Sequence, residues 1–479
     1  MNAFADTAEL PTELGALDTL LHRGEGNPRT RSGMLGVQIL DTTPDWKRFR
    51  SRFDIASRHI LRLRQKVVLP TLPTTSPRWV VDPDFNLDYH VRRLRVPGAG
   101  TLRDVLDIAE TAVQSPLDTS RPLWSATLVE GLANGQAAML LHMSHAVTDG
   151  KGGVELFTHL YDFERDPLPT PMPPLPVPQD LTPNELMRTG ISQLPGAIVG
   201  GARDAAQLLG RVIRRPAGSV KGVVDYVLAI GQLMTPTAES SPLLKHRSLA
   251  SRTEAIEMNL ADLSKAAKAA DGSVNDAYLA ALCGALRRYH DGLGLPIDTL
   301  PMGIPVSLRA EDDAAGGNRF TAITLAAPVG EPDPALRIKM IRAQMTQRRE
   351  EAALDVFAPI APVMSRVPTP LLEAIGAAVT AADIQASNVP SYPGDVYIAG
   401  AKMLRQYGLG PLPGVAMMVI LVSLAGKCCV AVRYDRASVT DEALFARCLQ
   451  EGFDEVLELT GDPMALSTPT SFTARRSAM

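Results

Sequence analysis

Cysteine is scarce in this chain, with four in 479 residues: Cys283, Cys428, Cys429 and Cys448. They lack the paired spacing of zinc ligands, and Cys428 and Cys429 are adjacent in an apolar run. They read as buried thiols in a reducing compartment, which excludes a disulfide scaffold. Long hydrophobic runs are also missing. The longest, Val415 to Ala425, is interrupted only by Ser423 and falls short of the about 20 residues that cross a bilayer. The acidic start, Met1 to Leu20, lacks the charged-then-apolar pattern of a secretory signal. Charge of one sign is not in excess: the net charge is -4, which excludes a global electrostatic drive toward nucleic acid, although Arg92, Arg93 and Arg95 form a local basic cluster. No G-x-S-x-G elbow and no G-x-x-x-x-G-K-[ST] loop occurs, and Gly408-Leu409-Gly410 lacks the third glycine of a dinucleotide fingerprint. No His/Cys cluster offers a metal site. These absences disfavour covalent serine chemistry and metal catalysis, and leave direct transfer by a histidine base as the favoured chemistry. The expectation is a cytoplasmic protein with no nucleic-acid partner, any membrane contact being peripheral.

What is present is most informative between Ala137 and Gly153. The apolar run Ala137 to Leu141 reads as a buried strand and leads into Leu141-His142-Met143-Ser144-His145-Ala146-Val147-Thr148-Asp149-Gly150. Gly150, Gly152 and Gly153 end the strand and allow close backbone approach. A histidine at a strand end can be held rigidly and still reach a cavity, and its ordinary pKa of about 6.5 suits proton transfer near neutrality. A histidine followed four residues later by an aspartate is also common by chance. His142 shares a strand facing with Ser144, opposite to His145, which makes it a poor substitute base.

Other segments add weight to His145. In chain order they are Asp82-Pro83-Asp84-Phe85-Asn86-Leu87-Asp88-Tyr89-His90-Val91-Arg92-Arg93, Ser115-Pro116-Leu117-Asp118-Thr119-Ser120-Arg121-Pro122-Leu123-Trp124, Val274-Asn275-Asp276-Ala277, Pro305-Val306-Ser307-Leu308-Arg309, Gly317-Asn318-Arg319-Phe320 and Ser387-Asn388-Val389-Pro390. Together with the histidine segment, this order resembles the bacterial wax ester synthase/acyl-CoA:diacylglycerol acyltransferase family, part of the chloramphenicol acetyltransferase-like and condensation-domain group. The resemblance runs from about Leu17 to Tyr434.

The resemblance implies an α/β (α+β) fold of two chloramphenicol acetyltransferase-like lobes with an active-site tunnel between them. It implies an O-acyltransferase that joins fatty acyl-CoA, a co-substrate rather than a cofactor, to diacylglycerol or a long-chain fatty alcohol. His145 matches the second histidine of the family's H-H-x-x-x-D-G motif, the catalytic one. Asp149 would hold the loop through an arginine, for which Arg309 is the candidate, and Gly150 would allow a tight turn. Ser144 stands where the first histidine usually is; it is small, can still hydrogen-bond, and is a candidate to alter substrate choice. For Pro122-Leu123-Trp124, core packing is the favoured reading, with Trp124 also a candidate substrate contact. Asn275 would lie near the channel and orient substrate or support the oxyanion, while Asp276 alone could simply cap its helix. Two rivals remain: an acyltransferase of the same superfold with another acceptor or a carrier-protein donor, and a degenerate non-catalytic acyl-binding homologue.

The chain is long enough for two lobes. Residues 1–165 form the expected N-terminal lobe. Residues 166–250 form a linker, proline-rich from Asp166 to Pro178 and therefore stiff and extended, followed by connecting helices. Residues 251–479 form the C-terminal lobe. Leu208, Leu209, Val212 and Ile213 with Arg211, Arg214 and Arg215 suggest an amphipathic helix, packed between lobes in the favoured reading or resting on an anionic membrane in the other. Strands are expected at Gly36–Leu40, Thr253–Leu260, within Thr321–Val329 and within Gly414–Tyr434. Helices are expected at Leu102–Gln114, Ala261–Ala270 and from Ser273 to Tyr289, the last capped by Ser273 with Asp276 three residues on.

Overall fold

The computed structural model describes residues 12–72, 75–147, 157–192, 237–307, 320–352 and 382–469. The first half runs α1 (Ala16–Gly24), β1 (Gly33–Leu40), α2 (Trp46–His59), β2 (Gln65–Val68), β3 (Arg78–Val81), the one-turn α3 (Leu87–His90), β4 (Val91–Arg95), α4 (Leu102–Gln114), β5 (Trp124–Glu130) and β6 (Ala137–Ser144). The second runs β7 (Ser251–Asn259), α5 (Leu260–Ala269), α6 (Val274–Gly292), β8 (Leu300–Ser307), β9 (Phe320–Ala327), α7 (Pro334–Ala352), β10 (Ile384–Pro390), β11 (Tyr397–Ile398), β12 (Ala401–Leu409), β13 (Met417–Leu424), β14 (Lys427–Asp435), α8 (Glu442–Leu457) and β15 (Thr468–Pro469).

Each strand and helix expected from periodicity within the described residues is present, within a few residues at its ends. Helix α6 starts as its sequence dictates. Ser273 Oγ accepts from the Asp276 amide at 3.3 Å, and Asp276 Oδ2 accepts from the Ser273 amide at 2.8 Å, a complete capping box. The long apolar stretch before Tyr434 is a hairpin, β13 to β14. It reverses at Ala425 and Gly426, with φ of 47° and 81°, the left-handed pair that matches strand twist in a tight turn.

Two large sheets organise the described residues, beside a separate two-stranded pair of β2 and β3. One has six strands in the order β11-β12-β1-β6-β5-β4; the other has seven, in the order β15-β7-β14-β13-β10-β8-β9. The first is not built from the first half alone. Strand β12 pairs antiparallel with β1, setting Leu35 opposite Leu409 and Val37 opposite Tyr407. The C-terminal half therefore lends a hairpin to the N-terminal sheet, and a division of the chain at residue 250 is not a division of the sheets.

Strand β6 is buried along its full length because both of its faces are covered. Met139, Leu141 and Met143 join Phe49 and Phe53 of α2 in one core. Ala138 and Leu140 join Val105, Leu106 and Ala109 of α4 in another, which also takes in Ala255, Cys429 and Ala431 from the second sheet. This explains why the sequence there is a continuous apolar run rather than an alternation. All four cysteines are free and buried.

Residues from Asp166 to Pro178 have no regular secondary structure, as their prolines require. They lie along the N-terminal lobe, where Arg58 Nη1 donates to the Pro173 carbonyl at 2.9 Å. A helix follows over 183–192; the basic amphipathic stretch around Arg211 lies outside the described residues. Among the described residues, no helix is long and apolar enough to cross a membrane.

Candidate active site

The site is built on the end of β6. Ser144 is the last strand residue, and its amide donates to the Leu123 carbonyl at 3.1 Å. The chain then turns: the Val147 amide donates to the Ser144 carbonyl at 3.0 Å. His145 stands in this turn, with its amide donating to the Ser32 carbonyl at 3.2 Å. Its side chain is half-buried, the first since Gln136 that is not fully so. A rigid strand thus delivers one imidazole to the edge of accessible space.

The serine beneath it is fully buried. Ser144 Oγ donates to Glu25 Oε1 at 2.6 Å and accepts from the Ala146 amide at 3.2 Å. Ser32 Oγ donates to the same Glu25 oxygen at 2.8 Å. Burial pushes the Glu25 carboxyl up from its ordinary value, against the pull of these two hydroxyls and of the Arg31 charge. Ser144 is thus enclosed by loop-holding contacts, and the structure does not place it at an accessible surface where substrate choice would be made. Glu25 was passed over in the sequence because Arg23-Gly24-Glu25-Gly26 carries no periodicity or motif that marks it.

His142 is enclosed as well. Its Nε2 lies 2.9 Å from where a Cβ would stand on Gly33, so that position tolerates no side chain without rearrangement. Burial, aided by the Arg31 and Arg433 charges, lowers its pKa to about 4. It is a neutral core histidine, in keeping with its facing.

Two of the sequence segments converge on packing. Trp124 is 1% exposed, and its Nε1 donates to the Leu63 carbonyl at 2.7 Å. His90 stacks on it with ring centroids 4.7 Å apart, and His90 Nδ1 donates to the Trp124 carbonyl at 2.7 Å. Phe53 stacks on the Trp124 ring at 5.9 Å. Burial takes the His90 pKa down to about 4. With its one polar atom satisfied and its ring covered, Trp124 has the surroundings of core packing rather than of a substrate contact.

Asn275 is half-buried in the first turn of α6, and the neighbouring Asp276 caps that helix. Asp149, Gly150 and Arg309 lie outside the described residues. Among the described residues, no group of three or more His, Cys, Asp or Glu side chains could hold a metal ion.

Comparison with known proteins decides the family. The wax ester synthase/diacylglycerol acyltransferase catalytic domain model matches residues 7–278, and the C-terminal domain model of the same family matches residues 316–457. The chain belongs to the wax ester synthase/diacylglycerol acyltransferase family. A Mycobacterium tuberculosis protein that carries the provisional name diacylglycerol O-acyltransferase is 63% identical over 471 residues, which is 98% of this chain and 96% of that protein. A Mycobacterium bovis protein with a similar provisional name is 31% identical over 372 residues, 73% of this chain and 76% of its own length. The wax ester synthase/diacylglycerol acyltransferase of Marinobacter aquaeolei superimposes with a TM-score of 0.62 at 19% identity, covering 94% of this chain and all of that one. The first condensation domain of the calcium-dependent antibiotic synthetase superimposes at 0.58 with 14% identity, covering 96% and 98%. At these identities the structural matches speak for the fold, the two-lobed chloramphenicol acetyltransferase-like one.

This chain is therefore an acyltransferase of that family. Within it, the histidine motif occupies the end of a central strand of the N-terminal sheet, next to the strand that receives β12 from the C-terminal half.

Proposed function

We propose that this acyltransferase moves a fatty acyl group from acyl-CoA to the hydroxyl of diacylglycerol or of a long-chain alcohol, with His145 as general base. The observation that carries this reading is the position of His145, half-exposed at the end of a strand whose eight residues are all buried. Rigid support behind an accessible imidazole is what positioned proton transfer requires. The names of the two mycobacterial relatives support a diacylglycerol acceptor.

In this mechanism the acceptor oxygen attacks the thioester carbonyl while His145 takes its proton. The tetrahedral oxyanion collapses, the carbon–sulfur bond breaks, and CoA leaves as a thiolate that recovers the proton from the imidazolium. No acyl-enzyme forms. Base catalysis of this kind contributes about 10²–10⁴-fold, with the remainder from holding the two substrates together away from water. Asp149 pairing with Arg309 would fix the loop, and Asn275 would orient substrate or support the oxyanion. Acyl-CoA is the co-substrate and no resident cofactor takes part. Because the acceptors partition into lipid, the reading puts the protein at the cytosolic face of a membrane or at a lipid droplet.

The test offers purified protein palmitoyl-CoA with dioleoylglycerol or hexadecanol, and follows labelled neutral lipid alongside His145→Ala. Ester formed by the wild type and lost in the variant is the expected result. Equal ester from both proteins would remove His145 from the role of base. No ester from either acceptor, with folded protein, would favour a different acceptor, a carrier-protein donor or a non-catalytic binder.

A further inference from the structure

We infer that Glu25 is a positioning residue for the His145 loop, acting through the hydroxyls of Ser144 and Ser32. The inference rests on the reading of His145 as the base. Glu25 is 1% exposed and sits at the C-terminal cap of α1. That is an unfavourable place for a carboxylate on two counts. Burial strips its hydration, and the end of a helix carries the negative pole of the dipole. A side chain retained for stability alone would be neutral there, or paired with a guanidinium. Arg31, the nearby cation, donates its Nε to the Glu25 main-chain carbonyl at 3.2 Å rather than to the carboxylate.

The hydrogen-bonding partners of the carboxylate explain its presence. One oxygen, Oε1, accepts from Ser144 at 2.6 Å and from Ser32 at 2.8 Å. Ser144 directly precedes His145 and also receives the Ala146 amide, on the far side of it. Ser32 supplies the carbonyl that receives the His145 amide. The two hydroxyls that meet on Glu25 thus belong to the residues that hold the His145 main chain from both sides. Three segments converge on one atom: the end of α1, the residue before β1 and the end of β6. Oε2 has no hydrogen-bond partner among the described residues, so the hydroxyl contacts of the side chain are made through Oε1. Ser144 occupies the motif position where the family usually has a histidine. In this chain a buried carboxylate 119 residues away secures that position instead.

The experiment compares Glu25→Ala, Glu25→Gln, Ser144→Ala, the Glu25→Ala/Ser144→Ala double variant and His145→Ala for kcat, KM for palmitoyl-CoA and melting temperature. Glu25→Ala and Ser144→Ala should each lower kcat about tenfold, with KM changed by less than about twofold, since a displaced base costs rate rather than ground-state binding. The double variant should be no worse than the poorer single one, because both act through one contact. Glu25→Gln keeps an oxygen that accepts from both hydroxyls and should recover most of the rate. Wild-type kcat in folded Glu25→Ala or Ser144→Ala, multiplied losses in the double variant, or a Glu25→Gln as slow as Glu25→Ala would each overturn the inference. If Glu25→Ala does not fold, Ser144→Ala and Glu25→Gln decide. An active His145→Ala would bring down the reading of the base; an inactive one beside a wild-type Glu25→Ala would bring down only the role of Glu25.

Discussion

Two buried glutamates of this protein are compensated in opposite ways. Glu110, on α4, faces the second sheet, where Arg433 Nε of β14 donates to it at 3.0 Å and the Ser251 and Thr253 hydroxyls of β7 donate as well. Its charge is met by a guanidinium that is itself buried, and the cluster joins the first-half helix α4 to the second sheet. Glu25 is more buried, yet its carboxylate forms no ion pair with a guanidinium among the described residues; it is met chiefly by two hydroxyls, with the Arg31 charge acting from a distance. The first arrangement is complete and ties two parts of the fold. The second leaves a carboxylate partly uncompensated directly behind the His145 loop, a feature expected where geometry at a site matters more than stability.

Removing the cation from the first cluster should have the largest effect. Arg433→Ala would leave Glu110 buried and unpaired, at a cost of about 3–5 kcal/mol, seen as a shift in the urea unfolding midpoint. A midpoint unchanged from the wild type would show that the tie does not matter. Thr253→Val deletes one of the neutral donors to Glu110 and should cost about 1–3 kcal/mol in the same measurement, with kcat unchanged. On the other side of the comparison, Ser144→Ala should cost a similar amount of stability, about 1–3 kcal/mol, but, unlike Thr253→Val, lower kcat as described above.

The subtlest effect concerns pH. The Glu25 carboxyl is raised in the folded protein above its ordinary value of 4.5, burial being the main cause. Between the unfolded and folded values the native state therefore binds more protons than the unfolded chain, and unfolding free energy falls as pH rises through that window. The destabilisation is fully present above the folded pKa and is relieved as pH drops toward 4.5. Glu25→Gln, which cannot ionise, should melt higher than the wild type near neutral pH, with the gain shrinking on acidification. A gain that is constant with pH would mean that ionisation of Glu25 is not its source.

Much of the fold was legible because it is locally encoded. The capping box at Ser273 and Asp276 involves residues three apart, and the apolar run before His142 reads as a buried strand. His145 was legible for the same reason: a histidine ending such a run is a strand-end residue. Trp124 was ambiguous in sequence because a motif says nothing about burial. The stack with His90 and Phe53 resolved it in favour of the core. The segment ending at His90 and the one ending at Trp124 are separate in sequence, and their meeting was not readable from either.

The sequence by itself determined the elements, their order, the family and the place of His145, since all of these depend on residue type and on spacing within a few turns or one strand. Tertiary structure alone decided that β12 completes the N-terminal sheet, that the buried Ser144 hydroxyl donates to a carboxylate, and that Glu25 lies behind the His145 turn. The physical reason is that a hydrogen bond such as the one between Ser144 and Glu25 spans 119 residues, and its existence depends on where three separate segments pack.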